Sequence, residues 1–212
     1  MRGVFVTGTD TSVGKTVVCA ALLARYPAAK YWKPIQTGIE REDDTAEVRR
    51  LCQAAAHDEG VRLRHPVSPH LAAERAGVRI DFRALAMPQD SGPWVVEGAG
   101  GVLVPINESI TMADLIAQLG LTAVVVARST LGTINHTLLT LEALAARRLA
   151  VAGIVMVGAP NPANRKAIEH WGNVPVIGEM PLFEPLDAER VGAWAGTELD
   201  PGLALARYLE WR

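Results

Sequence analysis

The chain has 212 residues, 49% of them apolar and 21% charged, and a formal net charge of −2. That apolar content suffices for a sizeable core in one domain spanning 1–212. The charge leaves no basic footprint for nucleic acid, and no run approaches the roughly 18 apolar residues of a membrane span.

The first strand, Val4–Thr7, follows "MRG" directly, with no signal-peptide pattern. A polar turn then opens an Ala-rich helix over Lys15–Arg25. Cys19 and Cys52 are the only cysteines, each in an apolar helical stretch, so they read as reduced thiols of a cytoplasmic protein. Further strands are expected at Lys30–Lys33, Trp94–Glu97, Ala123–Ala127, Gly153–Val157 and Val176–Gly178. Helices are expected at Ala46–Ala56, Met112–Leu119, Ile134–Arg147 and Ala163–Trp171. Residues 57–93 are the least regular, with prolines at 66, 69, 88 and 93, and suggest short helices and loops at a site mouth. The tail from Asp187 suggests one or two helices packing back. "AVVVA" and "AGIVMV" are apolar without alternation, as in strands buried on both faces. The pattern predicts an α/β fold, doubly wound around a mostly parallel sheet.

The turn after the first strand is "GTDTSVGKT", Gly8–Thr16. It has the context of a phosphate-binding loop, between a strand and a helix start whose backbone N–H groups have no intrahelical partner. Thr9 holds the position where the common loop has its first glycine. Gly8 and Gly14 allow close backbone approach to phosphates across Thr11, Ser12, Val13 and Val17. Lys15 can reach the β- and γ-phosphate oxygens, and the Thr16 hydroxyl suits Mg²⁺. Cell-division and partition ATPases carry a second lysine four residues before the Gly-Lys pair; here Asp10 stands there.

Further blocks accompany this loop: "YWKPIQTG" (Tyr31–Gly38), "SPHLAAERAG" (Ser68–Gly77), "VVEGAGG" (Val95–Gly101) and "LGTINHT" (Leu131–Thr137). In this order, and with "TGTDTSVGKT", they closely resemble the dethiobiotin synthetase family. The resemblance covers residue 4 to about 145, roughly two thirds of the chain by count. It implies ATP- and Mg²⁺-dependent closure of 7,8-diaminopelargonate and CO₂ into a cyclic urea. It also implies a homodimer with the substrate site at the subunit interface.

That chemistry assigns roles. A carbamate oxygen is a poor leaving group; phosphorylation makes it a good one, and the neighbouring amine then closes the ring. Lys15 suits the γ-phosphate. Lys33, at a strand end, suits the carbamate side, although the same lysine alone would read as a solvated strand-end residue. Thr37 can donate to the carbamate or an amine. Thr16, Asp44 and Glu97 are the candidate Mg²⁺ ligands. By residue type alone Asp44 reads equally as a helix N-cap, and the adjacent Asp43 is the alternative ligand; the resemblance favours Asp44. Gly98 and Gly100 would let backbone approach the nucleotide. By resemblance, Thr133 and Asn135, in the first turn of a helix, would serve the partner's substrate, with His136 a packing or capping residue.

After residue 145 the resemblance thins. "GIVMVGAP" places Val157 and Gly158 where the family carries an adenine-reading asparagine, which leaves Gly158 and the "GEMPLF" residues Pro181, Leu182 and Phe183 on the base side. Two rivals share the loop. The amidotransferase-type cobyrinate synthases need a glutaminase domain for which 212 residues leave no room. A partition-type or MinD-type switch ATPase would do no small-molecule chemistry, and Asp10 and "KPIQTG" argue against it.

Overall fold

The computed structural model describes residues 2–210. The chain runs β1 (Gly3–Gly8), α1 (Lys15–Arg25), β2 (Lys30–Trp32), β3 (Ile35–Thr37), α2 (Asp44–Cys52), β4 (Ala56–His57), β5 (Val61–Leu63) and α3 (Pro69–Arg75). After a short 3₁₀ turn at Phe82–Ala84 come β6 (Trp94–Gly101), α4 (Met112–Leu119), β7 (Thr122–Arg128) and α5 (Thr133–Ala145). The last elements are β8 (Val151–Val157), α6 (Pro162–Gly172), β9 (Val176–Met180), α7 (Ala188–Thr197) and α8 (Ala206–Leu209).

Seven strands form one sheet in the order β4-β2-β6-β1-β7-β8-β9, and every described pairing in it is parallel. The α/β, doubly wound expectation holds. Strand alternation divides the core between the two faces. Val4 and Val6 of β1 join Val95, Val124, Val126 and Val155 beneath α1, α2 and α7. Phe5 points the other way, to Val96, Val125, Ile154 and Met156 beneath α4, α5 and α6. Successive strands are added on opposite sides of β1, so the carboxyl ends of β6, β1 and β7 open at a topological switch point, where open α/β sheets bind ligands.

Several boundaries differ from the sequence reading. The strand expected at Lys30–Lys33 ends at Trp32, because Pro34 cannot donate to a ladder. The helix expected at Ala46–Ala56 starts at Asp44, since the Asp43 carboxylate accepts from the Thr45 and Ala46 N–H groups at 3.0 and 3.1 Å. It stops at Cys52, where Gln53 turns left-handed at φ 52°. Residues 57–93 contain strand pairing as well as the expected short helix. There β5 joins β3 in a separate two-stranded parallel sheet. The expected tail helices are α7 and α8.

Candidate active site

At the carboxyl end of β1 the chain turns through the loop and enters α1 at Gly14. Gly14 sits at φ 95°, a left-handed conformation that glycine adopts without strain. A Cβ on Gly8 would lie 2.6 Å from the Asp10 carbonyl oxygen, so the loop can fold over this residue only if it lacks a side chain. The Lys15 ammonium bonds the Asp10 carbonyl at 3.2 Å. This draws it back over its own loop, the geometry of a cation held above a phosphate cradle.

The loop forms one wall of a cleft of about 640 Å³. Thr11, Ser12, Gly14, Lys15, Thr16 and Val17 line that wall. Lys33 and Thr37 face it from the exit of β2 and from β3, Asp44 from the first turn of α2, and Glu97 and Gly100 from β6. Residues 66–69 and Val104 close the mouth.

Glu97 is the hub of this site. It is 1% exposed, and a carboxylate so buried is stable only with partners. Its Oε1 accepts from the Thr16 hydroxyl at 3.0 Å and the Lys33 ammonium at 2.7 Å. Its Oε2 accepts from the Tyr31 hydroxyl at 2.7 Å. Lys33, itself 4% exposed, is also ion-paired with Asp44. Burial works to lower the Lys33 ammonium, but Glu97 and Asp44 outweigh it and hold it above its ordinary range. Lys15 moves the other way: burial lowers it, the Lys33 charge adds to this, and Glu97 and Asp44 oppose only in part. Burial, followed by Glu97, pushes the Tyr31 hydroxyl well up, so it stays a donor.

Gln36 orients Asp44. Its amide donates to the Thr37 and Glu42 carbonyls at 2.9 and 3.3 Å, and its carbonyl accepts from the Asp44 N–H at 3.4 Å. Asp43 is occupied as the helix cap, so Asp44 is the one of the two that lines the cleft. Among the described residues no three His, Cys, Asp or Glu side chains gather as a metal cage. Two carboxylates and a hydroxyl around one cation nevertheless fit Mg²⁺, which takes few protein oxygens and completes its shell with phosphate and water.

Other expected site residues lie outside the cleft. Val13 is buried behind the loop at 2% exposure. Gly98 faces the core, where an added Cβ would meet Phe5 at 2.7 Å, so it serves packing and leaves close approach to Gly100. Gly158 and the 181–183 segment flank the far side of the loop, because Val157 and Met180 pack onto Gly14. Thr133 is buried, with its hydroxyl 3.4 Å from that of Thr137, and Asn135 is exposed. Neither reaches Lys33 within this chain. The α5 face instead borders a second groove of about 530 Å³, which shares Thr11 and Val104 with the first and includes His136 and Leu139. The sequence reading missed Tyr31 and Gln36. Period-two alternation was the available signal for Tyr31, since residues 31 and 33 point to one side.

A parallel sheet with this loop at its switch point defines a phosphate-loop nucleotide-binding protein. The cell-division ATPase MinD of Pyrococcus furiosus aligns over 92% of this chain and 97% of its own, at TM-score 0.55 and 14% identity, a likeness of fold alone. A family described as an AAA domain matches residues 2–190. The ATP-dependent dethiobiotin synthetase BioD of Paramagnetospirillum magneticum is 56% identical over 197 residues, 92% of this chain and 94% of that protein. BioD of Rhodopseudomonas palustris strain HaA2 is 48% identical over 195 residues, 91% of each chain. This chain belongs to the ATP-dependent dethiobiotin synthetase family.

Proposed function

We propose that this protein is an ATP-dependent ligase of biotin biosynthesis that closes 7,8-diaminopelargonate and CO₂ into the cyclic urea of dethiobiotin. One amine adds to CO₂ and loses a proton to give the carbamate. A carbamate oxygen attacks the γ-phosphorus and ADP leaves. The second amine attacks the carbonyl carbon of the resulting carbamic-phosphoric anhydride, phosphate leaves with the bridging oxygen, and the amine proton is lost. The observation that carries this reading is the single cleft shared by the loop lysine and the Lys33–Asp44–Glu97 group.

Lys15 would sit over the transferring phosphoryl group, while Lys33 neutralises the carbamate and the charge that moves from it. Thr37, beyond Lys33 on the same wall, would hold the carbamate or the second amine close to the reacting carbon. Thr16, Asp44 and Glu97 would hold Mg²⁺, which when bound would offset the negative charge of the phosphate. The base would lie on the far side of the loop, by Gly158 and residues 181–183. The domain would comprise residues 1–212 and work in the cytoplasm, a setting consistent with the free thiols Cys19 and Cys52.

The protein would act as a homodimer. Leu131 at 103% exposure precedes α5, while Leu139 at 55% on α5 and Leu103 at 51% line the second groove, and a second copy would cover them. Thr133 and Asn135 would then complete the partner's substrate site. A Lys33→Ala chain mixed with a Thr133/Asn135 double variant should recover activity on subunit exchange; no recovery despite proven exchange would place each site within one chain. The activity itself is tested by ADP release, which should require both diaminopelargonate and bicarbonate. Turnover without the diamine would contradict it.

A further inference from the structure

Tyr31 touches Glu97 but does not line the cleft. Its place follows from sheet register. β2 pairs with β6 so that Tyr31 lies opposite Val95, and Glu97 is two residues further along the same face. A side chain as long as tyrosine reaches such a diagonal neighbour. The next residue, Trp32, points to the opposite face and bonds the Glu59 carbonyl at 2.7 Å. The ring of Tyr31 is fully buried in the α1-side core.

The two oxygens of Glu97 are therefore used differently. Oε1 faces Thr16 and Lys33 on the cleft side. Oε2 is tied back by the Tyr31 hydroxyl at 2.7 Å, with the buried Cys19 thiol also beside the carboxylate. The terminal torsion of a glutamate is broad, so with Oε1 alone held by Thr16 and Lys33 the carboxylate plane can pivot about that oxygen, and the Tyr31 hydroxyl restricts the pivot. We propose that Tyr31 is a positioning residue that locks the Glu97 carboxylate with one oxygen aimed at Thr16, and so sets how tightly the site takes Mg²⁺ with nucleotide. The proposal rests on the reading of Glu97 as a metal-side carboxylate.

The test is calorimetric titration of ADP into the whole protein, with Mg²⁺ and with a chelator, for wild type, Tyr31→Phe, Glu97→Gln and the double variant. Thermal unfolding checks the fold of each. Outer-shell partners of a metal ligand are worth about 10–100-fold in metal affinity. Tyr31→Phe should lose up to about tenfold, the lower end of that range, in Mg²⁺-dependent ADP binding and keep its metal-free ADP affinity, a split that a purely structural tyrosine would not produce. In the Glu97→Gln background, Tyr31→Phe should cost nothing further.

If Glu97→Gln weakens Mg²⁺-dependent binding and Tyr31→Phe does not, the positioning role is overturned and the reading of Glu97 stands. If Glu97→Gln leaves it unchanged, both fall. If Tyr31→Phe alone does not fold, the double variant, which has no Glu97 carboxylate to strand and keeps Lys33 paired with Asp44, decides. Equality with Glu97→Gln supports the lock, and a further loss overturns it.

Discussion

The two flanks of the phosphate loop are built on different principles. On the β6 side, five polar side chains from four elements meet: Thr16, Tyr31, Lys33, Asp44 and Glu97, each hydrogen-bonded or ion-paired to another. On the β8–β9 side, apolar groups and backbone predominate. Val157 and Met180 pack on Gly14, and the Gly158 N–H is used on the Met180 carbonyl at 2.8 Å. The polar side chains nearby are also engaged. Glu179 accepts from the Asn161 N–H at 3.0 Å and from Arg165, while Asn161 caps α6 and Asn164 donates to the Ser129 carbonyl at 2.9 Å. One flank depends on charges that cannot be exchanged, whereas the other offers a shape. Phosphate chemistry should therefore be fragile to single substitutions, and base recognition loose.

Lys15 is where the polar flank is most fragile. Lys15→Ala should lower turnover on the order of 10²-fold or more, the usual cost of removing a group that stabilises charge in the transition state. Near wild-type turnover in a folded variant would remove the loop from the mechanism. Lys33→Ala should stop product formation yet leave nucleotide binding largely intact, since it acts on the carbamate side. Product at a normal rate, measured by mass spectrometry, would contradict this.

The loose flank makes the next prediction. Without a side-chain amide at 157, and with the Gly158 N–H occupied, adenine selection on this flank should lack about two hydrogen bonds, each worth about 0.5–1.5 kcal/mol. Other triphosphates, CTP included, should compete within about ten- to a hundredfold of ATP at one Mg²⁺ concentration. A preference above about a thousandfold exceeds what two such bonds supply and would show that the 181–183 backbone reads the base.

The smallest effect sharpens the polar flank. Asp44→Asn and Glu97→Gln should each raise the Mg²⁺ concentration needed for half-maximal activity by about tenfold, a charge-assisted contact in each case. An unchanged titration for both would move the metal elsewhere, with Asp43 the next carboxylate in the sequence.

Legibility in the sequence follows the same division. The central strands were readable because residues such as 123–127 are apolar on both faces, and only a covered parallel sheet needs that. The β3–β5 sheet was not, because three-residue strands beside Pro34 have no period to detect. The loop and "KPIQTG" were readable because their chemistry restricts residue type. Tyr31 was quoted within a block but passed over: alternation puts it on the side of Lys33, but its partner Glu97 comes from the pairing of β2 with β6, which local sequence does not encode. Gly98 looked like an approach glycine. Its requirement is Phe5, 93 positions earlier, and only the fold brings the two together.

The central claim is that the cleft phosphorylates a carbamate oxygen. It is tested most directly by a single turnover with ¹⁸O-labelled CO₂, diaminopelargonate and Mg·ATP, started before the label exchanges with water, followed by mass analysis of the phosphate released. Attack through the carbamate oxygen predicts one ¹⁸O atom per phosphate formed with dethiobiotin. Phosphate carrying no label would mean that water, not the carbamate, receives the phosphoryl group, and would contradict the account.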